Sequence, residues 1–154
     1  MTKILPLVPA LFLLACLVGV AQESKPEGKT TTNRMLKVKL NYTGSGTVDA
    51  RHKIYAFLFD SPGFIHGSGD IPIAAEAAQN KDGTVTFDAV PTSPVYLSAV
   101  YDPAGNYDGQ SGPPPSGSSL GLYSKTSGTP EPIRIEPGKT LQVDLAFDDR
   151  VKMQ

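Results

Sequence analysis

Between residues 35 and 147 the chain repeats one pattern: short runs of alternating apolar and polar side chains, cut by Gly, Pro, Asn and Asp. Leu36, Val38, Leu40 and Tyr42 alternate with Lys37, Lys39 and Asn41. Successive side chains of a strand point to opposite faces, so this period of two predicts a strand with one buried and one wet face. Lys53 to Phe59 is almost continuously apolar, which predicts a strand covered on both faces in the middle of a sheet. Residues 61–70, with three Gly and one Pro, read as a loop. Ile71-Pro72-Ile73-Ala74-Ala75 then reads as an edge strand, because Pro72 cannot donate to a ladder, with one helical turn over the Ala-rich residues 74–78 as the alternative. Asn80-Lys81-Asp82-Gly83 is turn chemistry, and Val85 and Phe87 follow it in alternation with Thr84, Thr86 and Asp88, which predicts a hairpin.

Val95 to Tyr101 is the next β-rich run and a predicted core strand, bounded by Pro94 and by Asp102-Pro103. Residues 102–121 are rich in Gly, Pro and Ser and read as one long loop, of the kind that is either functional or disordered. Ile133 and Ile135 predict a short strand, Glu136-Pro137-Gly138-Lys139 a turn, and Leu141, Val143, Leu145 and Phe147 a last alternating strand. No segment sustains a 3.6-residue repeat, so the fold expected is all-β: a single antiparallel β-sandwich of about seven strands, immunoglobulin-like or prealbumin-like. The expected organisation is a signal segment over 1–21, a polar tether over 22–34, the sandwich over 35–149 and a tail over 150–154.

The N-terminal segment changes the compartment rather than the fold. Lys3 supplies a positive start, Ile4 to Val20 an apolar run, and Gly19-Val20-Ala21 the small residues of a cleavage site before Gln22. Pro6 and Pro9 interrupt the run, which argues against a permanent membrane span. Leu13-Leu14-Ala15-Cys16 also looks like a bacterial lipobox, in which Cys16 would become a lipid anchor, although the residues after it stay apolar where lipoproteins turn polar. The other reading leaves Cys16 as a small hydrophobe of the signal core. Both place the protein outside the cytoplasm, in the periplasm or extracellular space, with membrane contact only through the anchor.

The 14 Lys+Arg against 15 Asp+Glu give no basic block, so the chain lacks the electrostatic footprint of a nucleic-acid binder. A single Cys excludes intramolecular disulfides, and with two His most metal and nucleophile constellations cannot be assembled.

Asp82-Gly83-Thr84-Val85-Thr86-Phe87-Asp88-Ala89-Val90-Pro91, followed by Val95-Tyr96-Leu97-Ser98-Ala99, resembles the turn, strand, Pro and Tyr-strand signature of carboxypeptidase-regulatory-like and transthyretin-like modules of bacterial exported proteins. The resemblance implies a prealbumin-like sandwich; read from the residues alone, Tyr96 begins a core strand and its hydroxyl is expected to bond to backbone at a corner. The enzymatic branch of that fold, which hydrolyses 5-hydroxyisourate, carries a C-terminal Tyr-Arg-Gly-Ser, whereas this chain ends Asp148-Asp149-Arg150-Val151-Lys152-Met153-Gln154. The chain is therefore expected not to be an enzyme. His66, Ser68 and Asp70 suggest a small hydrolase, but Ile65-His66-Gly67-Ser68-Gly69-Asp70 lacks nucleophile-elbow spacing.

Asp102, Asn106 and Asp108 followed by Gly109 resemble half of a calcium loop, with Ala104 where a donor is needed and no acid at the twelfth position. Calcium is the one cofactor these residues suggest, and Asx-type turns are the competing account. His52 and His66 have no partner at metal-ligand spacing. Tyr101, Tyr107 and Tyr123, in or beside the long loop, are the candidate contact surface for a glycan or protein, against a role in pinning the loop down. The function expected is a non-catalytic exported binding or interaction module with an envelope or extracellular partner. The alternatives are a calcium- or glycan-dependent adhesion or substrate-binding domain, or a small hydrolase. The exposed edge near 71–75 adds the prospect of strand-addition partners.

Overall fold

The computed structural model describes residues 33–66, 69–126 and 128–154. The signal segment, Cys16, Ser68 and nearly all of the tether lie outside the described residues. Among the described residues seven strands form: β1 (Arg34–Tyr42), β2 (Ile54–Phe59), β3 (Ala74–Ala78), β4 (Thr84–Val90), β5 (Tyr96–Tyr101), β6 (Ser119–Leu122) and β7 (Thr140–Phe147). They make a three-stranded sheet in the order β4-β1-β7 and a four-stranded sheet in the order β3-β2-β5-β6, so the architecture is all-β and built as two layers.

The inner faces meet in one core. Leu36, Val38 and Leu40 from β1, Ile54, Ala56 and Leu58 from β2, Leu97 and Ala99 from β5 and Val143 and Leu145 from β7 are all buried there. The alternation in β1 works as expected: Leu36, Val38, Leu40 and Tyr42 are buried and Lys37, Lys39 and Asn41 are exposed. β2 is buried at every position and lies between β3 and β5.

Six expectations need correction. The sandwich is not wholly antiparallel: β1 and β7 pair in parallel, from Met35 opposite Thr140 to Tyr42 opposite Phe147. Alternation has the same period in either direction, and no short turn joins the first strand to the last, so nothing local encodes their direction. The turn at 80–83 does not close a hairpin but carries the chain from β3 in one sheet to β4 in the other. Its residues serve β1 instead, Gly83 and Lys81 accepting from the Leu40 and Tyr42 N–H groups at 2.8 Å each.

The segment at 71–75 is displaced: the edge strand is Ala74–Ala78, beyond Pro72, and it is not a helical turn. Residues 133–135 form no strand, only a bridge in which Val95 and Ile133 exchange hydrogen bonds of 2.9 and 2.8 Å, while Ile133 and Ile135 still fill the core. The strand β6 lies instead in the stretch read as loop. Its core-facing residues are small, Ser119 and Gly121, because a Cβ at Gly121 would come within 2.6 Å of the Phe147 Cβ. The long irregular connection is correspondingly shorter, residues 102–118.

The expected tail at 150–154 is also incorporated. The Leu120 N–H donates to the Val151 carbonyl and the Met153 N–H to the Ser118 carbonyl, both at 2.9 Å, which covers that part of the β6 edge.

Candidate functional site

The outer face of the four-stranded sheet carries a second apolar cluster. Tyr55, Phe57, Phe59 and Val100 are buried there, with Phe64, Tyr96, Tyr107 and Leu120 packed on them. Two segments roof it. The 3₁₀ turn Pro62–His66 lays Phe64 flat on Phe59 with centroids 4.0 Å apart, and the connection 102–118 sets Tyr107 edge-on to Tyr55 at 5.2 Å. Edge-to-face and offset aromatic pairs add about 0.5–1.5 kcal/mol to what burial of the rings contributes.

The connection is stitched down by its own side chains. Asp102, 1% exposed, accepts the N–H of Ala104 on Oδ1 at 2.9 Å and those of Asn106 and Tyr107 on Oδ2 at 2.8 Å each. Burial pushes its carboxyl up, but the donors from Tyr107, Ala104 and Asn106 outweigh burial and hold it below the usual carboxylate range. Asp108 repeats the device at the surface. It accepts the N–H of Gln110 and of Ser111 on Oδ1 and the Ser111 hydroxyl on Oδ2, with the Ser111 hydroxyl as the leading cause of its pKa falling to about 2. The Tyr55 hydroxyl donates to the Tyr107 carbonyl at 2.5 Å and the Tyr107 hydroxyl to the Gly112 carbonyl at 3.0 Å. Gly109 lies on the Tyr55 ring with φ of 80°, where a Cβ would approach Tyr55 Cδ1 to 2.6 Å. Only glycine combines that backbone with that contact.

Asp102 and Asp108 thus organise two Asx-type turns with their own backbone. Among the described residues, no three His, Cys, Asp or Glu side chains gather as a metal site would. The candidate tyrosines separate. Tyr101 is 3% exposed and belongs to the inter-sheet core, not to a contact surface: its ring meets Tyr42 at 4.6 Å and its hydroxyl donates to the Thr47 carbonyl. The end of β5 turns inward at that residue, a direction set by the register with Ile54. Tyr107 is the half-buried anchor of the loop, and Tyr123 packs on the core beyond the end of β6. Tyr96 joins the outer cluster, while hydroxyl bonds to backbone are made by Tyr55, Tyr101 and Tyr107. His52 pairs with Asp49 at 3.0 Å, and His66 and Asp70 are exposed.

One polar cluster escapes sequence reasoning. Asp149 Oδ1 accepts from the Tyr42 and Ser119 hydroxyls at 2.6 Å each and from Lys152 Nζ at 3.2 Å, and Oδ2 from the Ser45 N–H at 2.8 Å. The Ser119 hydroxyl, then Tyr42 and Ser45, hold its carboxyl far below the usual range, while burial and then Asp149 push the Tyr42 hydroxyl up to about 12. Lys152 Nζ also reaches Ser119 Oγ at 2.8 Å, which has the outline of a Ser-Lys pair. Ser119 is fully buried and gives its proton to Asp149, so its oxygen does not face a substrate. The cluster fastens the C-terminal segment to the ends of β1 and β6. The only sequence signal for it is a Tyr closing one alternating strand and an Asp just after another, which is too common to single out.

Compared with family models, curated proteins and solved structures, the chain matches none.

Proposed function

We propose that the chain is a non-catalytic, exported binding module whose contact surface is the connection 102–118. The observation that carries this is the contrast between the loop's fixed base and its free outer side. Asp102, Tyr107 and Gly109 are tied to the sheet, while Asn106, Gln110, Ser111 and Pro113 are exposed. A loop ordered in advance on a rigid scaffold loses less entropy when a partner binds, which is how sandwich domains commonly carry recognition. The two acidic turns are held by backbone donors, which favours a direct protein or glycan contact over a calcium-dependent one. Kinship with carboxypeptidase-regulatory-like and transthyretin-like modules belongs to the same proposal, supported by the run from the Asp82-Gly83 turn through β4 and Pro91 to β5.

The test is a photo-crosslinking residue at Gln110, compared with the same residue at Thr86 on the polar face of the other sheet, in a bacterial host exporting the chain. Adducts at 110 and not at 86 are expected; equal labelling at both, or none at either, removes the assignment. Intact mass of the same material reads the export route, diacylglycerol on Cys16 marking a lipoprotein and cleavage after Ala21 a free protein.

A further inference from the structure

We propose that the outer edge of β7 is a strand-addition site for an extended segment of a partner protein that presents a Lys or Arg side chain to Glu131. A sheet edge offers unpaired N–H and C=O groups to any chain that can lie along it, and natural sandwiches guard their edges. Three of the four edges here are guarded. β4 has a register irregularity between its partners Arg34 and Leu36, β6 is partly covered by residues 151–153, and β3 has five residues just beyond Pro72. β7 has eight residues, with no Pro, Gly, Lys or Arg among them.

The register says which groups are free. The Met35 N–H donates to the Lys139 carbonyl and the Thr43 N–H to the Phe147 carbonyl, so the odd-numbered residues of this parallel pair turn their main chain to β1. Thr140, Gln142, Asp144 and Ala146 turn theirs to the open edge, which offers a ladder to one added strand.

Beside that edge the sandwich opens into a groove of about 250 Å³ between β7 and the end of β6, lined by Leu122, Tyr123, Lys125, Glu131, Asp144 and Leu145. Glu131 Oε1 accepts from Lys125, a side chain 82% exposed, while Oε2 is buried with no hydrogen-bond partner. A buried carboxylate oxygen without a donor is destabilising, and a cationic side chain entering the groove would relieve it. Strand pairing would supply affinity, and the Glu131 contact would select the sequence. A second copy is the weaker occupant, because β7 carries no basic residue and edge-to-edge pairing would bring no cation to Glu131.

The test is fluorescence anisotropy of the processed, exported protein with a labelled Val-Thr-Val-Thr-Lys-Thr-Val-Thr-Val peptide. Saturable binding is expected, weakened about tenfold or more when the peptide Lys becomes Glu and about fivefold by Glu131→Gln. Gln142→Pro should abolish it while leaving the melting temperature nearly unchanged, since only an added strand uses that N–H. A peptide N-methylated at alternate residues tests the same ladder with the protein untouched. No saturable binding at millimolar peptide, equal affinity for the Glu peptide, or a dimer in sedimentation velocity that Gln142→Pro dissociates would each overturn the proposal.

Discussion

The outer faces of the two sheets meet opposite environments. On the three-stranded sheet, Lys37, Lys39, Gln142 and Asp144 stand in solvent, whereas on the four-stranded sheet Tyr55, Phe57 and Phe59 lie beneath Phe64 and Tyr107. The inner faces are equivalent in kind, so the outer ones make the molecule asymmetric: two layers of strands, and a third layer of loop over one of them. A loop that covers an apolar sheet face is held by burial as well as by its own turns, and so can be long without being loose.

The largest expected effect breaks that third layer. Phe57→Ala should cost about 3 kcal/mol or more, as the loss of a buried aromatic does in a closed core, and should expose the sheet to an apolar dye. Chemical denaturation measures it; a loss below about 1 kcal/mol would mean that the loop contributes no packing there. Asp102→Asn comes next. It keeps the shape but replaces an anionic acceptor of three N–H groups with a neutral amide, at a cost of about 2 kcal/mol. Hydrogen exchange should accelerate at residues 103–112 and remain slow in β1 and β2, since the defect is confined to the loop.

The same asymmetry decided what could be read from the chain. β1 and β7 were legible because one face is wet, which leaves Lys37 and Asn41, or Gln142 and Asp144, as markers of the period. β2 was legible through the absence of such markers. β6 was not, because its inward positions are Ser119 and Gly121, chosen for contact with Phe147 rather than for hydrophobicity. Strand direction between β1 and β7, and the sheet joined by each side of the 80–83 turn, are set by the whole core and leave no local trace. At the loop, Asp102, Tyr107 and Asp108 were identifiable as residues, but their roles depend on which backbone N–H groups the turns deliver. Asp149 gathers donors from β1, β6 and the C-terminal segment, separated by up to 107 positions, and no local pattern could join them.

A smaller effect is expected at the Asp149 cluster, which lies outside the loop layer and sharpens the comparison by titration. Tyr42→Phe removes one hydroxyl donor and keeps the ring contacts with Tyr101 and Phe147, costing about 1 kcal/mol. Tyr42 has a folded pKa raised from 10.0 to about 12, so the stability it contributes is complete below 10 and disappears as the pH climbs through 12. Melting temperature should fall over that window in the native protein and less steeply in Tyr42→Phe. Asp149 and Asp102 behave oppositely. Their carboxyls are held down, so their contribution is present above the ordinary carboxylate range and lost as acid protonates them, with melting temperature declining below about pH 4 and Asp149→Asn flattening that limb.

The smallest expected effect is on the bare face. Lys37 stands opposite Thr86 on one side and Gln142 on the other, with neither an acidic partner nor a covering segment. Lys37→Ala therefore removes a solvated charge and little packing, and should change stability by less than about 0.5 kcal/mol. The prediction discriminates because Lys37 and Leu36 are adjacent on one strand: the pleat alone separates a position where truncation matters from one where it does not. A loss of more than about 1 kcal/mol in Lys37→Ala would mean that this face is covered in solution, by another segment of the chain or another molecule, and the contrast between the two sheets would collapse. A near-zero change beside a large Phe57→Ala loss would leave the third layer, among the described residues, on the loop-covered sheet alone.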